Sequence, residues 1–153
     1  MPDAPQPDAE TPYAQLLAEM RETAVLHSAN ATLGWDQEVM MPPAAAGLRG
    51  EQAALLSQLE HERRTSARIG ELIAACEADP ALMADPVEAA NVRGFRRDYD
   101  IATRLPTELV REVAEVTTLA MHRWREAREA DDFGAFAPWL ERVVKLNRDT
   151  AEA

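Results

Sequence analysis

Three histidines and one cysteine are the residues best suited to metal or nucleophilic chemistry in this chain. The usual helical zinc motif, His-Glu-x-x-His, places two imidazoles one turn apart on one face of a helix. Here His61 and Glu62 are followed by Thr65 at the position of the second imidazole. His27 and His122 fall on other predicted helices. We therefore predict no metal site and no cofactor in this chain, with His61 at a helix end where its partial charge suits the dipole.

The remaining candidates for catalysis are also weak. Cys76 follows an apolar helical stretch, residues 72–75, which is typical of a buried and unreactive thiol. The sequence contains neither a glycine-rich phosphate loop nor a GxSxG elbow. Adjacent acids such as Asp131 and Asp132 are expected by chance among 27 acidic residues, and they favour a solvated surface. We predict no catalytic residue in this chain.

The most unusual cluster of polar residues precedes the first proline break. Trp35, Asp36 and Gln37 stand together, and Arg49 and Gln52 follow a few residues later. In one interpretation Trp35 fills the core, while Asp36 pairs with a base such as Arg49 and pins the loop between them. In the other interpretation these five residues line a cleft. The residues alone leave both open.

Apolar residues at steps of three and four indicate which elements position that cluster. Residues 1–10 contain three prolines and no periodicity, so we predict a disordered leader. Residues 11–153 are predicted to form a single helical domain. Because no stretch alternates with period two, we expect an all-α fold, an antiparallel array of about six helices with no sheet.

Prolines and capping residues predict where these helices begin and end. The first helix should stop at about Met40, before two prolines. Ser66 and Asp85 are predicted N-caps, and Pro138 is predicted to begin the last helix. The positions predicted to face the core are, in chain order, Leu17, Met20, Ala24, His27 and Ala31; Leu48, Gln52, Leu55, Leu56 and Leu59; Ile69, Leu72 and Ile73; Val92, Phe95, Tyr99 and Ala102; Leu109, Val113, Val116, Ala120 and Trp124; and Leu140, Val143 and Val144.

Composition narrows the classes of partner and compartment. The formal net charge of −11 disfavours binding to nucleic acid or to anionic membranes, since both require clustered positive charge. No run approaches the roughly 20 apolar residues of a membrane helix, and the first residues lack the pattern of a secretory signal. A single cysteine forbids an internal disulfide, so we expect a cytoplasmic protein.

Several sequence blocks together resemble the N-terminal region of the carboxypeptidase Taq family of zinc metallocarboxypeptidases. Their order and spacing carry the resemblance, which extends from about Leu16 to Arg148. The blocks are Trp35-Asp36-Gln37, Met41-Pro42, Arg49 with Gln52, His61-Glu62 with Thr65, residues 96–100, residues 105–110, residues 124–128, Asp132-Phe133 and Phe136-Ala137-Pro138. Val39 and residues 44–46 depart from the family pattern at the loop after the first helix.

The resemblance implies an all-α fold and a family of longer enzymes that remove single residues from peptide C-termini. It implies that the HExxH motif, the zinc ligands and the substrate anchors lie downstream of the matched region, so zinc is expected only in full-length relatives. In such relatives this region packs over the active-site cleft as a wall or lid and contributes to dimer contacts. The chain is accordingly expected to form a homo-oligomer through exposed helical faces and not to cleave peptides alone.

Three roles remain open for the chain itself. It could be a stand-alone interaction domain related to the family. It could be a fragment of a split or truncated carboxypeptidase whose catalytic half is encoded elsewhere. It could also be a helical adaptor or dimerisation module unrelated to peptidase activity.

Overall fold

The computed structural model describes residues 11–153, and the predicted leader of residues 1–10 lies outside them. Within the described range the chain contains helices and no strand, which confirms the all-α prediction. Six helices have 11 or more residues, in agreement with the predicted number. The elements are α1 (Pro12–Val39), a 3-10 turn (Pro43–Ala45), α2 (Ala46–Arg64), α3 (Ala67–Glu77), the five-residue α4 (Pro80–Ala84), α5 (Pro86–Ala102), α6 (Thr107–Glu129) and α7 (Phe133–Glu152).

Side-chain caps define several helix starts, as the sequence predicts. The Ser66 hydroxyl accepts a hydrogen bond from the Ile69 amide at 3.4 Å. Asp85 caps α5 by accepting from two amides, at 2.8 and 2.9 Å. Each bond satisfies an amide that has no partner within its helix. α1 ends at Val39, just before the prolines, so the predicted first boundary is also confirmed.

The predicted start of the last helix is wrong. α7 begins at Phe133, and Pro138 lies inside it. Asp132 provides the N-cap, since its Oδ1 accepts from the Ala135 amide at 3.1 Å. Proline at this position removes one hydrogen bond, to the carbonyl of Gly134 four residues earlier. The cap and the apolar residues of the first turns therefore outweigh a single lost bond.

Backbone contacts divide the described residues into two compact units. Unit 1 comprises residues 11–25 and 62–104, and unit 2 comprises residues 26–61 and 105–153. The N-terminal part of α1 belongs to unit 1 and its C-terminal part to unit 2. The single helical domain of the sequence analysis stays a prediction.

Unit 1 is organised around a cluster of buried apolar side chains from α1, α3 and α5. Leu16, Ile73 and Val92 are fully buried at its centre. The predicted core positions of α3 are confirmed. Those of α1 are correct only at its start, because Leu17 and Met20 pack against this cluster whereas Ala24, His27 and Ala31 are exposed. Asn91 donates to the hydroxyl of Tyr13 at 3.0 Å and gives that buried phenol a polar partner.

Burial and two acidic neighbours raise the pKa of the Cys76 thiol, whose residue is 1% exposed. The thiolate is the reactive form of cysteine. The structure thus agrees with the predicted unreactive cysteine.

Two glycines in unit 1 give a matched test of packing. A Cβ on Gly70 would lie 2.7 Å from the hydroxyl oxygen of Tyr99, whereas a Cβ on Gly94 would meet nothing within 4 Å. We expect Gly70→Ala to destabilise the protein by about 1–2 kcal/mol through overpacking. Gly94→Ala should stabilise it by about 0.5–1 kcal/mol, because glycine is costly inside a helix. Urea unfolding followed by circular dichroism measures both, and equal effects would contradict the close Gly70–Tyr99 approach.

A bidentate ion pair links α3 and α5 in unit 1. Arg96 donates to the two carboxylate oxygens of Glu77 at 3.0 and 2.8 Å. The hydrogen bond from Arg96 lowers the pKa of Glu77, although desolvation opposes it. A carboxyl whose pKa is lowered in the folded state stabilises the fold above its unfolded pKa of about 4.3. That stabilisation is lost as the pH falls through the folded pKa.

We therefore expect Glu77→Gln to lower the free energy of unfolding at pH 7 by less than about 1 kcal/mol, because the pair is partly exposed. The difference from the parent protein should shrink as the pH falls below the unfolded pKa and vanish once the folded carboxyl is protonated. Denaturant titrations at several pH values test this. If the loss of unfolding free energy did not change with pH, the variant would act through packing and not through the ion pair.

Unit 2 contains α6 and α7, joined by a short turn at residues 130–132. Arg142 of α7 donates to Glu112 of α6 at 2.9 Å, which is consistent with an antiparallel pair. Asp131 in the turn has a φ of 51°, and it is the one described non-glycine residue with positive φ. The Asp132 amide reaches back to the Ala127 carbonyl at 2.9 Å, which closes the end of α6 as in a Schellman motif.

α2 packs in unit 2 through its small residues. Ala46, Gly50 and Ala54 are buried, and a Cβ on Gly50 would lie 3.3 Å from Leu119 of α6. The predicted leucine stripe of α2 is therefore wrong in this chain, since Leu48, Leu55 and Leu59 are 60, 55 and 40% exposed. Gly50 leaves room for the Leu119 side chain, whereas the leucines lie on the opposite side of α2.

The prediction of buried side chains in α6 and α7 is correct only in part. Trp124 is 46% exposed, and Leu140 and Val144 are each 39% exposed. Val116 and Ala120 of α6 are buried as predicted. The other buried side chains of the two helices are Ala127 and Leu146.

Candidate functional site

The polar cluster singled out in the sequence forms around the C-terminal half of α1 and the start of α2. Asp36 and Gln37 lie in the last turns of α1, and Arg49 and Gln52 lie in the first turns of α2. These elements run antiparallel here, because Asn30 donates to Ser57 at 3.4 Å while Asp36 lies opposite Arg49. The proline-rich connection therefore brings residues 36 and 49 together.

Arg49 is the centre of this cluster. Its Nη2 donates to Asp36 Oδ2 at 2.5 Å, and its Nε donates to Gln52 Oε1 at 3.0 Å. Its Nη1 donates to the backbone carbonyl of Leu33. The Arg49 side chain is 11% exposed, so a largely buried guanidinium has three acceptors around it. Charge-assisted bonds of this kind are the strong ones, and they hold the end of α1 against α2.

Trp35 and Gln37 differ from the other three predicted site residues. Trp35 is 61% exposed, so the interpretation in which it fills the core is wrong. Its neighbour Asp36 turns toward α2, whereas the indole remains open to solvent. Gln37 is half-buried, and its backbone carbonyl accepts from Arg125 of α6 at 3.5 Å. Whether these side chains line a cleft stays a prediction.

Arg125 is a further member of the cluster that sequence reasoning missed. Besides the Gln37 carbonyl, it binds the carboxylate of Glu38. Gln37 is among the last residues of α1, whose carbonyls have no partner within the helix. Two arginines, from α2 and α6, thus complement the negative end of the α1 dipole. No sequence signal could have indicated this pair, because the partners are 87 and 88 residues apart and one acceptor is backbone.

The histidines lie elsewhere, and two of them are paired with acids. His27 Nδ1 is 3.2 Å from Glu60, and His122 Nε2 is 3.3 Å from Glu126. His61 lies in the last turn of α2, as predicted, and is 8% exposed. Among residues 11–153 no group of three histidine, cysteine or acidic side chains could hold a metal ion. The cluster at Arg49 offers fixed charge and hydrogen bonds rather than a nucleophile or a paired base.

Comparison with known proteins identifies the family of this chain. The model of the carboxypeptidase Taq (M32) metallopeptidases matches residues 15–153. Thermostable carboxypeptidase 1 of Thermus thermophilus is 41% identical over 145 residues, which cover 94% of this chain and 28% of that protein. Thermostable carboxypeptidase 1 of Pyrococcus furiosus is 36% identical over 138 residues, covering 90% of this chain and 27% of that protein.

A solved structure agrees with these relatives. The M32 carboxypeptidase of Deinococcus radiodurans R1 superposes with a TM-score of 0.71 at 37% identity, over 92% of this chain and 28% of that protein. The chain thus spans little more than a quarter of the relatives it matches. Its likeness to them is both in sequence and in fold. The chain therefore belongs to the carboxypeptidase Taq (M32) metallopeptidase family, and it corresponds to the N-terminal helical region of these proteins.

Proposed function

We propose that this chain serves as the helical wall of a carboxypeptidase cleft and that peptide hydrolysis is carried out by the remainder of the M32 fold. The observation that carries this proposal is the family match over residues 15–153 combined with a 28% share of the Thermus relative. A region of this extent supplies and supports one wall of the cleft, and the remainder of the M32 fold carries out the metal-dependent step.

The residues described here do not fit a catalytic metal. A catalytic zinc needs three convergent protein ligands and an open position. His27 and His122 are each close to a single glutamate, and residues 11–153 hold no group of three such ligands. No step of hydrolysis is therefore assigned to these side chains.

The cluster at Arg49 supports the role of a wall. Arg49 and Arg125 fix the end of α1, which leaves the indole of Trp35 exposed on a helix that is held at its C-terminus. An exposed aromatic ring on a held helix suits contact with substrate or with a neighbouring domain. We assign Asp36, Arg49 and Gln52 to loop pinning, and Trp35 and Gln37 to the lining.

Partners and compartment are part of the proposal. The exposed apolar side chains of α2, α6 and α7 support association, either with a catalytic portion or with a second copy. Among the helices of residues 11–153, none is both long and apolar enough to cross a membrane. Cys76 is free and buried, which suits a reducing compartment such as the cytoplasm.

A chimera tests the proposed function. This chain replaces the matching region of the Thermus thermophilus relative, and release of C-terminal residues from a peptide is measured with added zinc. We expect release by the chimera, and none by this chain alone or by the relative lacking its matching region. Trimming by the isolated chain would refute the assignment. A folded chimera without activity would favour an adaptor role instead.

A further inference from the structure

The α6–α7 pair has an apolar side that nothing in unit 2 covers. We call it the hairpin face and define it by five exposed side chains: Met121, Trp124, Phe133, Leu140 and Val144. Their exposed fractions are 41, 46, 67, 39 and 39%. The hairpin face is separate from the buried interface between α6 and α7. The pair therefore has an apolar surface in addition to the one that joins its two helices.

The spacing of these residues places them on one side. Phe133, Leu140 and Val144 are separated by seven and four residues, and at about 100° per residue they lie within roughly 40° of one another on α7. Met121 and Trp124 are three apart on α6. Trp124 and Phe133 also line one open cavity of about 180 Å³ together with Phe136. The two stripes therefore meet at the turn and form a shallow groove along the pair.

Charged side chains border the groove at the turn, since Arg128, Asp131 and Asp132 also line the cavity. The five defining residues carry no charge. Apolar contact therefore holds a partner along the length of the groove, and the aromatic rings at the cavity would accept an inserted aliphatic side chain.

The area of the hairpin face fits one helix better than a dimer. Side chains of at most about 150–250 Å², each roughly half exposed, offer on the order of 500 Å². A stable dimer buries about 800 Å² on each partner. An amphipathic helix with apolar residues at i, i+3, i+4 and i+7 covers a groove of the smaller size.

We propose that the hairpin face binds the first helical segment that follows the region equivalent to α7 in full-length M32 chains. This inference rests on the proposed function. The relatives continue for more than twice the length of the matched region, and elements consecutive in sequence are neighbours in space about two-thirds of the time. Such a segment would lie along α6 and α7 as the third helix of a layer.

Thiol accessibility tests the proposal, using Leu140→Cys on the hairpin face and Val87→Cys as a control in unit 1. Val87 is 66% exposed, and the native Cys76 is buried and therefore slow to label. In the chimera with the Thermus relative, we expect the labelling rate at position 140 to fall at least about tenfold relative to the isolated chain, because burial limits labelling to local opening. The rate at position 87 should change less than about twofold. Val144→Cys replaces Leu140→Cys if the latter does not fold.

A benzophenone attached at position 140 of the chimera then identifies what covers the face. The expected product is an internal cross-link to the helix that directly follows α7. Cross-links to a distant segment or to a second copy, or an unchanged labelling rate, would overturn the proposal. If position 140 were protected from labelling in a chimera without peptidase activity, the inference about the hairpin face would stand although the proposed function had failed.

Discussion

Leu16→Ala is expected to destabilise unit 1 by about 3 kcal/mol, the largest effect we anticipate for a single substitution. Leu16 is fully buried and contacts a cluster that includes Ile73 and Val92. Shortening the side chain loses its transfer free energy and leaves a cavity lined by neighbours on three helices. Equilibrium unfolding in urea, followed by circular dichroism, gives the free energy directly.

Leu48→Ala is the matched control, because it makes the same chemical change within a helix at a residue that is 60% exposed. Its cost should stay within about 0.5 kcal/mol. Alanine and leucine are both strong helix formers, so helix propensity contributes little to either variant. If the two variants lost equal stability, the leucine side of α2 would be buried in the isolated chain, by self-association or otherwise.

Arg49→Ala is expected to cost about 2 kcal/mol, because it leaves the Leu33 carbonyl and the Asp36 carboxylate without their shared donor. The loss is smaller than for a fully buried pair, since water reaches Asp36, which is 35% exposed. Arg49→Lys should recover part of the stability, as an ammonium cannot reproduce the planar fork of donors. Thermal unfolding of the three proteins establishes the order.

Arg97→Ala supplies the control for that substitution. Arg97 is 76% exposed, and it forms an ion pair with its neighbour Asp98. Removing it should change stability by less than about 0.5 kcal/mol. An Arg49→Ala variant as stable as Arg97→Ala would show that the cluster does not hold α1, and the assignment of Arg49 to loop pinning would be lost.

Helix boundaries were predictable because they depend on local chemistry. Ser66 and Asp85 cap the helices they precede, and the prolines after Met41 separate α1 from α2. These effects involve neighbours within about four residues, so the sequence contains them in full. The predicted helix start at Pro138 was wrong because proline, which usually begins a helix, is tolerated here within α7.

Burial was harder to predict for a physical reason. Hydrophobic periodicity reveals that a helix side is apolar, but it does not say what covers that side. α2 has two such sides, and the one with glycine and alanine is buried in this chain whereas Leu48, Leu55 and Leu59 are exposed. Residue volume, rather than hydropathy, distinguishes the side that packs closely on α6.

The candidate site was predictable only in part. Opposite charges at Asp36 and Arg49 suggested a pair across a short loop, and the structure places them 2.5 Å apart. The Leu33 carbonyl could not be anticipated, because every residue has one. Arg125 could not be anticipated either, since its bond to Glu38 depends on how α6 packs within unit 2.

The two-sided character of α2 has a consequence for mutational tolerance. In the isolated chain, Leu48, Leu55 and Leu59 should accept polar replacements freely and even gain solubility, because each is exposed. In a longer protein where that side is covered, the same replacements should be selected against. A saturation scan that scores stability in both contexts would therefore give opposite effects of polar substitution at these leucines and equal effects at Gly50. Positions where the effect changes sign are those covered only in the longer protein.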